Sequence, residues 1–258
     1  MTIGNLIQLL PLNAAAAGTS PAVASDGAPT PQDLAITFGA GSWTSIAAGR
    51  GLSFVGATGA GAVATGLASG NKIYDNIDGK TSITIELVFT TPAGTPNNFA
   101  PIFAIIDEAT GDSIISLLWS NTSAAYRLYF GDDTVRRRHA LALGTTFFAH
   151  LVFDSAQANE DERVKLYLSG VDTSVIASNP TQNATIQSAM PASISEGLCN
   201  FGDLGLQYTG AIYYAAIYSG AFSAGEAFLR AQALAADNDV VPSSSGPPGG
   251  GDFFRRRI

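Results

Sequence analysis

The chain has 258 residues, of which 46% are apolar and 13% charged, with a formal charge of −8. That apolar share is enough for a sizeable core and excludes wholesale disorder, while the charged share is about half that of an average soluble domain. The acidic balance argues against nucleic acid as the main partner, because phosphate contact needs clustered Lys and Arg, and the single Cys199 supplies neither an internal disulfide nor a metal cluster.

With 28 glycines and 12 prolines spread among Ala, Ser and Thr, the composition favours a turn-rich all-β protein over a helical bundle. Residues 1–30 read as an N-terminal arm whose sticky part is Leu6, Ile7, Leu9 and Leu10. Two readings fit that arm: a disordered leader, or a segment that docks on a neighbouring subunit, since free apolar residues are a liability. The first basic residue is Arg50, so the positive region that opens a secretory signal is missing. No run of 18 apolar residues occurs, and a spanning helix is not expected.

Residues 31–237 read as one β-sandwich. Ile83, Ile85, Leu87 and Phe89 alternate with Thr84, Glu86 and Val88, the period of a strand with one face buried. Pro101 to Ile106 and Ser113 to Trp119 flank a polar, glycine-containing turn, and Tyr126 to Phe130 runs into Gly131-Asp132-Asp133. Phe147 to Phe153 and Val164 to Leu168 flank the acidic loop Asn159-Glu160-Asp161-Glu162, and Gly210 to Tyr218 is apolar on both faces, as a central strand covered on each side would be. Strands spaced in this way predict a sandwich rather than βαβ units. One helix follows. Ser223 and Glu226 form a capping box, the apolar stripe is Phe228, Ala231 and Leu234 or Ala235, and the end is expected near Asp237-Asn238.

After this domain, 238–251 is a Gly/Pro/Ser linker by composition, and 252–258 forms a short Phe/Arg peptide. Phe253, Phe254, Arg255, Arg256 and Arg257 read either as a solvated tail or as a tethered anchor, with Phe giving apolar burial and Arg a planar multi-donor group for a partner's pocket.

Two stretches carry a family likeness. His150-Leu151-Val152-Phe153-Asp154, followed by Arg163-Val164-Lys165-Leu166-Tyr167-Leu168-Ser169-Gly170-Val171, resembles the hairpin of laminin-G-like domains, within the concanavalin A-like lectin/glucanase superfamily. The stretch from Gly210 to Glu226 is similar to that group's terminal strand and helix, and Gly51 to Val55 and Ser82 to Phe89 sit where its early strands would be. The resemblance covers about residues 33–236. It implies a two-sheet antiparallel jelly-roll sandwich with a short C-terminal helix, flanked here by extended N- and C-terminal arms, and often a carbohydrate- or protein-binding role. Tyr213, Tyr214 and Ala215 stand where many relatives carry acids in the terminal strand, which weakens the expectation of a calcium site. The close E-x-D-x-E array of glycan-hydrolysing relatives is missing.

Candidate chemistry is sparse. The acids Asp107-Glu108, Asp132-Asp133 and Glu160-Asp161-Glu162 sit in turns, where they serve solubility and local hydrogen bonding, rather than lining one cleft as a glycosidase pair must. Glu86 is the one isolated strand acid and has no visible partner in the sequence. Asp75-Asn76-Ile77-Asp78-Gly79 reads as a plain turn more readily than as a calcium loop, lacking the bidentate Glu and the full spacing. His139 and His150 do not have metal-ligand spacing, and His150 is expected to be packed and hydrogen-bonded. Arg136, Arg137 and Arg138 read as a charged solvated or edge strand, or as a contact for an anionic ligand or an acidic neighbour. Trp119, Tyr126, Tyr129 and Tyr208 offer rings for sugar stacking, although in a sandwich such residues are mostly core.

The expectation is a non-enzymatic protein without cofactors. The main reading is a structural and adhesive subunit of a larger assembly, pictured as a bacteriophage virion surface protein held to neighbouring subunits through its arm and tail. The alternative is a stand-alone bacterial carbohydrate-binding module.

Overall fold

The alternation at 82–90 is realised as a strand whose odd-numbered side chains Ile83, Ile85, Leu87 and Phe89 are fully buried in the central core. Its even-numbered ones face a second, smaller layer. The computed structural model describes residues 6–11, 23–24, 34–38, 43–46, 50–54, 60–94, 100–120, 125–130, 135–139, 142–172, 175–176, 185–187, 189–198, 208 and 210–236. Phe253 to Arg257, Tyr129 as a side chain, and Cys199 lie outside that description.

The strands are β1 (Leu6–Pro11), β2 (Val23–Ala24), β3 (Leu34–Phe38), β4 (Trp43–Ile46), β5 (Arg50–Phe54), β6 (Ala60–Leu67), β7 (Ser82–Thr90), β8 (Ala100–Asp107), β9 (Ser113–Ser120), β10 (Ala125–Phe130), β11 (Val135–His139), β12 (Thr146–Asp154), β13 (Val164–Leu168), β14 (Val171–Asp172), β15 (Val175–Ile176), β16 (Ile194–Leu198) and β17 (Ala211–Tyr218). Two helices, α1 (Lys72–Asp75) and α2 (Ala224–Ala236), complete them. One sheet of eight strands runs β14-β13-β12-β7-β17-β5-β4, with β1 also paired to β17. The other, of nine strands, runs β15-β11-β10-β9-β8-β16-β6-β3-β2. The strand pairs are antiparallel.

The two sheets enclose one apolar core. Phe89, Leu151, Phe153, Leu166 and Ile217 come from the first sheet, and Phe103, Ile105, Leu117, Tyr126 and Leu128 from the second. Each such side chain contributes about 1.5–3 kcal/mol by leaving water. Trp119, Tyr126 and Tyr208 belong to this core; Trp119 and Tyr126 pack edge to face at 5.0 Å. Their rings are therefore taken up by packing and are not available for stacking on a sugar.

The second layer is α2, laid on the outer face of the first sheet. The capping box forms as its spacing predicts: the Ser223 amide and hydroxyl both donate to Glu226 Oε2 at 2.9 Å, and the Glu226 amide donates back to Ser223 Oγ at 3.3 Å. The buried helix residues are Ala227, Ala231 and Leu234. Phe228, expected in that stripe, is 45% exposed. The stripe turns by one residue because small Ala227 lies against Val152 and Tyr167, while Phe228 is carried to the rim over Gly170. A Cβ on Gly170 would stand 2.6 Å from the Phe228 Cα, and its φ of +82° already favours glycine, so that turn is shaped for close approach of the helix.

Two further expectations change. The apolar piece of the N-terminal arm, Leu6–Pro11, is a strand of the chain's own first sheet, registered from Leu6↔Tyr218 to Pro11↔Tyr214, with Ile7 in the core. The arginine strand β11 is not at an edge: it pairs with β10 and, at Arg137 and Arg138, with β15. The pairing steps from Leu128↔Arg137 to Tyr129↔Val135, so Arg136 is the extra residue of a bulge. Asp75 to Gly79 forms the end of α1 and the turn after it, a plain turn as expected, in which the Asp78 amide donates to the Tyr74 carbonyl at 2.9 Å. The Asn71 carboxamide accepts from the Ile73 amide at 2.8 Å, and Asp75 Oδ1 accepts from the Gly70 amide at 3.0 Å, while Ile77 points into the core.

No helix among the described residues is long and apolar enough to cross a membrane.

Candidate functional site

Chemistry-bearing side chains gather on the outer face of the first sheet, along one register row. The row runs Ala216↔Glu86↔His150↔Tyr167↔Asp172 across β17, β7, β12, β13 and β14. Cross-strand partners share a face, so Glu86, His150 and Tyr167 stand side by side. Helix α2 crosses this face, Ala227 lying against Tyr167 and Val152 while Arg230 reaches Glu86, and a cleft is left beside the helix start.

Beneath the helix Glu86 is fully buried. Its Oε1 accepts from Arg230 Nη2 at 2.6 Å and from the Tyr218 hydroxyl at 3.2 Å; its Oε2 accepts from Arg230 Nε at 3.0 Å and from His150 Nε2 at 2.9 Å. Four donors fill the roughly four lone-pair sites of a carboxylate. Arg230 Nη2 also reaches the Tyr214 and Tyr218 hydroxyls at 3.3 and 3.1 Å. A bulge in β17 between Ile212 and Tyr214 places both Tyr213 and Tyr214 in the cluster under the helix.

Burial by itself would raise the Glu86 carboxyl, but the hydrogen bonds from His150 and Arg230 and the guanidinium charge overcome it and hold the group down at about 2. Burial, and then the Glu86 charge, push the Tyr218 hydroxyl up to about 12 and carry Tyr214 well above the ordinary range. A carboxylate so saturated and so far from protonation cannot act as a general acid, and no substrate can reach it under α2. The network clamps the helix to the sheet. Glu86, without a partner in the sequence, thus has three, one of them on a helix 144 residues away. His150 is packed and hydrogen-bonded as expected.

Beside the start of α2 lies a cleft of about 270 Å³ lined by Val152, Asp154, Gln157, Glu162, Arg163, Lys165, Tyr167, Ala221, Phe222, Ser223 and Ala224. Its position follows from local structure. Lys165 stands opposite Val152 in the β12–β13 ladder, the 160–162 turn brings Glu162 beside it, and the segment leading into α2 supplies Phe222. Val152 and Tyr167 pack with Ala227, with Phe222 against them, giving an apolar wall. The rim is polar and internally matched. Lys165 Nζ pairs with Glu162 at 3.0 Å, Arg163 with Glu160 at 3.6 Å, and Gln157 donates to Asp154 at 2.7 Å. The Glu162 hydrogen bond raises the Lys165 ammonium against partial burial. Tyr167 is 3% exposed, and its hydroxyl makes no hydrogen bond among the described residues, although it is not sealed off. Buried tyrosine hydroxyls usually find a partner.

The site anticipated at Arg136 to Arg138 lies in the opposite sheet, away from this face. Sequence reasoning did not find the cleft. The one signal for it was Tyr167 and Lys165 alternating with core Leu166 and Leu168 in a strand next to an acidic loop. No cluster of three or more His, Cys, Asp or Glu suited to a metal ion occurs among the described residues.

No protein-family model and no curated protein matches the chain. Among solved structures it is similar to Trypanosoma rangeli sialidase in complex with sialic acid, with a TM-score of 0.60 at 14% identity over 87% of this chain and 32% of that one. The same sialidase in complex with the inhibitor DANA gives 0.60 at 16% identity. This chain thus spans about a third of the length of the sialidase chains it matches. It is also similar to domain 4 of AbnA, a GH43 extracellular arabinanase from Geobacillus stearothermophilus, in complex with arabinotriose. That likeness has a TM-score of 0.54 at 14% identity and covers 88% of this chain and 98% of the domain. These likenesses establish a shared β-sandwich fold.

Proposed function

We propose that this protein is a non-catalytic carbohydrate-binding module with a lectin-like sandwich of the laminin-G/concanavalin A kind. The observation that carries this reading is the cleft on the outer face of the first sheet, where part-exposed Phe222 gives an apolar wall over the buried Tyr167 ring, beside a hydrogen-bonding rim of Asp154, Gln157, Glu162 and Lys165. Sugar rings present one apolar face and a belt of hydroxyls, and sites for them combine an aromatic surface with a few placed polar groups. The volume lies just under the roughly 300–1,000 Å³ of drug-sized sites, which suits one or two rings.

Two further points support the reading. The stretches that carried the family likeness meet in space, with α2 and its lead-in resting on the β12–β13 hairpin. The arabinanase domain that shares the fold over nearly its whole length is itself bound to arabinotriose. A virion subunit drew its support from a free apolar arm, and Leu6–Pro11 is occupied within its own sheet. The Phe/Arg tail remains an anchor candidate under either reading.

Affinity electrophoresis of the full chain through gels containing arabinan, other neutral polysaccharides or sialylated glycans tests the proposal, with reducing sugar measured in parallel. Retardation by at least one polysaccharide without release of reducing ends is expected. Free migration through every gel would overturn binding, and released reducing ends would overturn the non-catalytic part.

A further inference from the structure

Building on the glycan-binding reading, we infer that the cleft selects a neutral sugar ring and rejects sugar acids, with the Tyr167 hydroxyl as the specificity-determining contact. The charges provide the first argument. Asp154, Glu162, Arg163 and Lys165 at the rim sum to zero, and the cations are engaged: Lys165 by Glu162 at 3.0 Å and Arg163 by Glu160 at 3.6 Å. A sialic or uronic acid would have to displace these carboxylates while facing Asp154 and Glu162, and that like-charge approach is a discriminating penalty. Hydroxyl groups meet no such obstacle. An ammonium has three donors and Glu162 takes one of them, while the Asp154 carboxylate, which accepts from the Ala156 amide and from Gln157, keeps lone pairs to spare.

The second argument is Tyr167 itself. Its ring is held by Val152, Ala227 and Phe222, and its cross-strand neighbours His150 and Asp172 fix its place in the row. A rigid ring with an unpartnered hydroxyl at the cleft is a preorganised contact that can both donate and accept, and its ordering cost is met by folding rather than by ligand. Arabinotriose, the ligand of the domain that shares this fold over 98% of its length, is neutral, and the rim chemistry favours a sugar of that kind.

Calorimetric titration of the full chain with arabinotriose, a panel of neutral hexose oligosaccharides and N-acetylneuraminic acid tests the inference, with Tyr167→Phe and Glu162→Gln beside the unaltered protein. Tyr167→Phe keeps the packed ring, and an unchanged melting temperature verifies its fold. The expected result is binding of a neutral oligosaccharide, weakened about fivefold or more in Tyr167→Phe, with no acid binding until Glu162→Gln releases Lys165. A neutral ligand whose affinity ignores Tyr167→Phe would overturn the cleft assignment and leave the glycan-binding reading standing. Preference of the unaltered protein for the acid would overturn neutrality alone. Failure of every sugar would overturn both.

Discussion

Two halves of one sheet face use nearly the same side chains for opposite ends. Under α2, a carboxylate, an arginine and two tyrosines are sealed together, and every lone pair of Glu86 is filled. Two strands further on, carboxylates, basic residues and a tyrosine line a cleft open to solvent. The difference lies in coverage and saturation rather than in residue type. A buried charge persists only when its partners are complete, and once they are complete it has nothing left to offer a ligand. An exposed pair is worth little to stability, yet it keeps donors and acceptors to spare.

That contrast can be broken experimentally, most severely at the sealed network. Glu86→Gln leaves the Arg230 guanidinium half-buried without its counter-charge and is expected to cost about 3–5 kcal/mol in urea unfolding; a loss below about 1 kcal/mol would mean that the clamp does not hold the helix. Acid gives the next largest effect. Because the folded carboxyl of Glu86 sits at about 2, below its ordinary value of 4.5, its stabilisation is complete above about pH 4.5 and fades as the pH falls toward 2. On the order of 3 kcal/mol is at stake, read as the part of the acid-induced loss of stability that Glu86→Gln no longer shows. At the cleft, Lys165→Met is expected to change stability by less than about 1 kcal/mol. A larger loss would make the rim a second clamp rather than a binding edge.

How far each half was legible in the sequence follows the same division. The period-two run at 82–90, the hairpin at 146–168 and the capping box at Ser223 all rest on interactions a few residues apart, and each formed as expected. Strand β6, Ala60–Leu67, escaped notice because Gly and Ala have poor strand propensity and only its neighbours β3 and β16 make it a strand. The Glu86–Arg230 pair was hidden by its 144-residue separation, although a single arginine between the buried Ala227 and Ala231 of an otherwise apolar helix face was a readable sign of a buried partner. The cleft was invisible because its wall is made where α2 meets β13, a juxtaposition that local periodicity does not encode.

The pairing of β1 with β17 has a bearing on the order of synthesis. Leu6 emerges from the ribosome some two hundred residues before Tyr218, its register partner. At about 5–20 residues per second, that wait is roughly ten to forty seconds. Through that interval Ile7 has no sheet to enter, and the centre of the first sheet, where β17 separates β7 from β5, is an empty slot. Contacts of such long range are slow to form and leave nascent chains open to association. The nascent chain is therefore vulnerable until β17 appears, and that single late insertion closes the sheet from both sides at once.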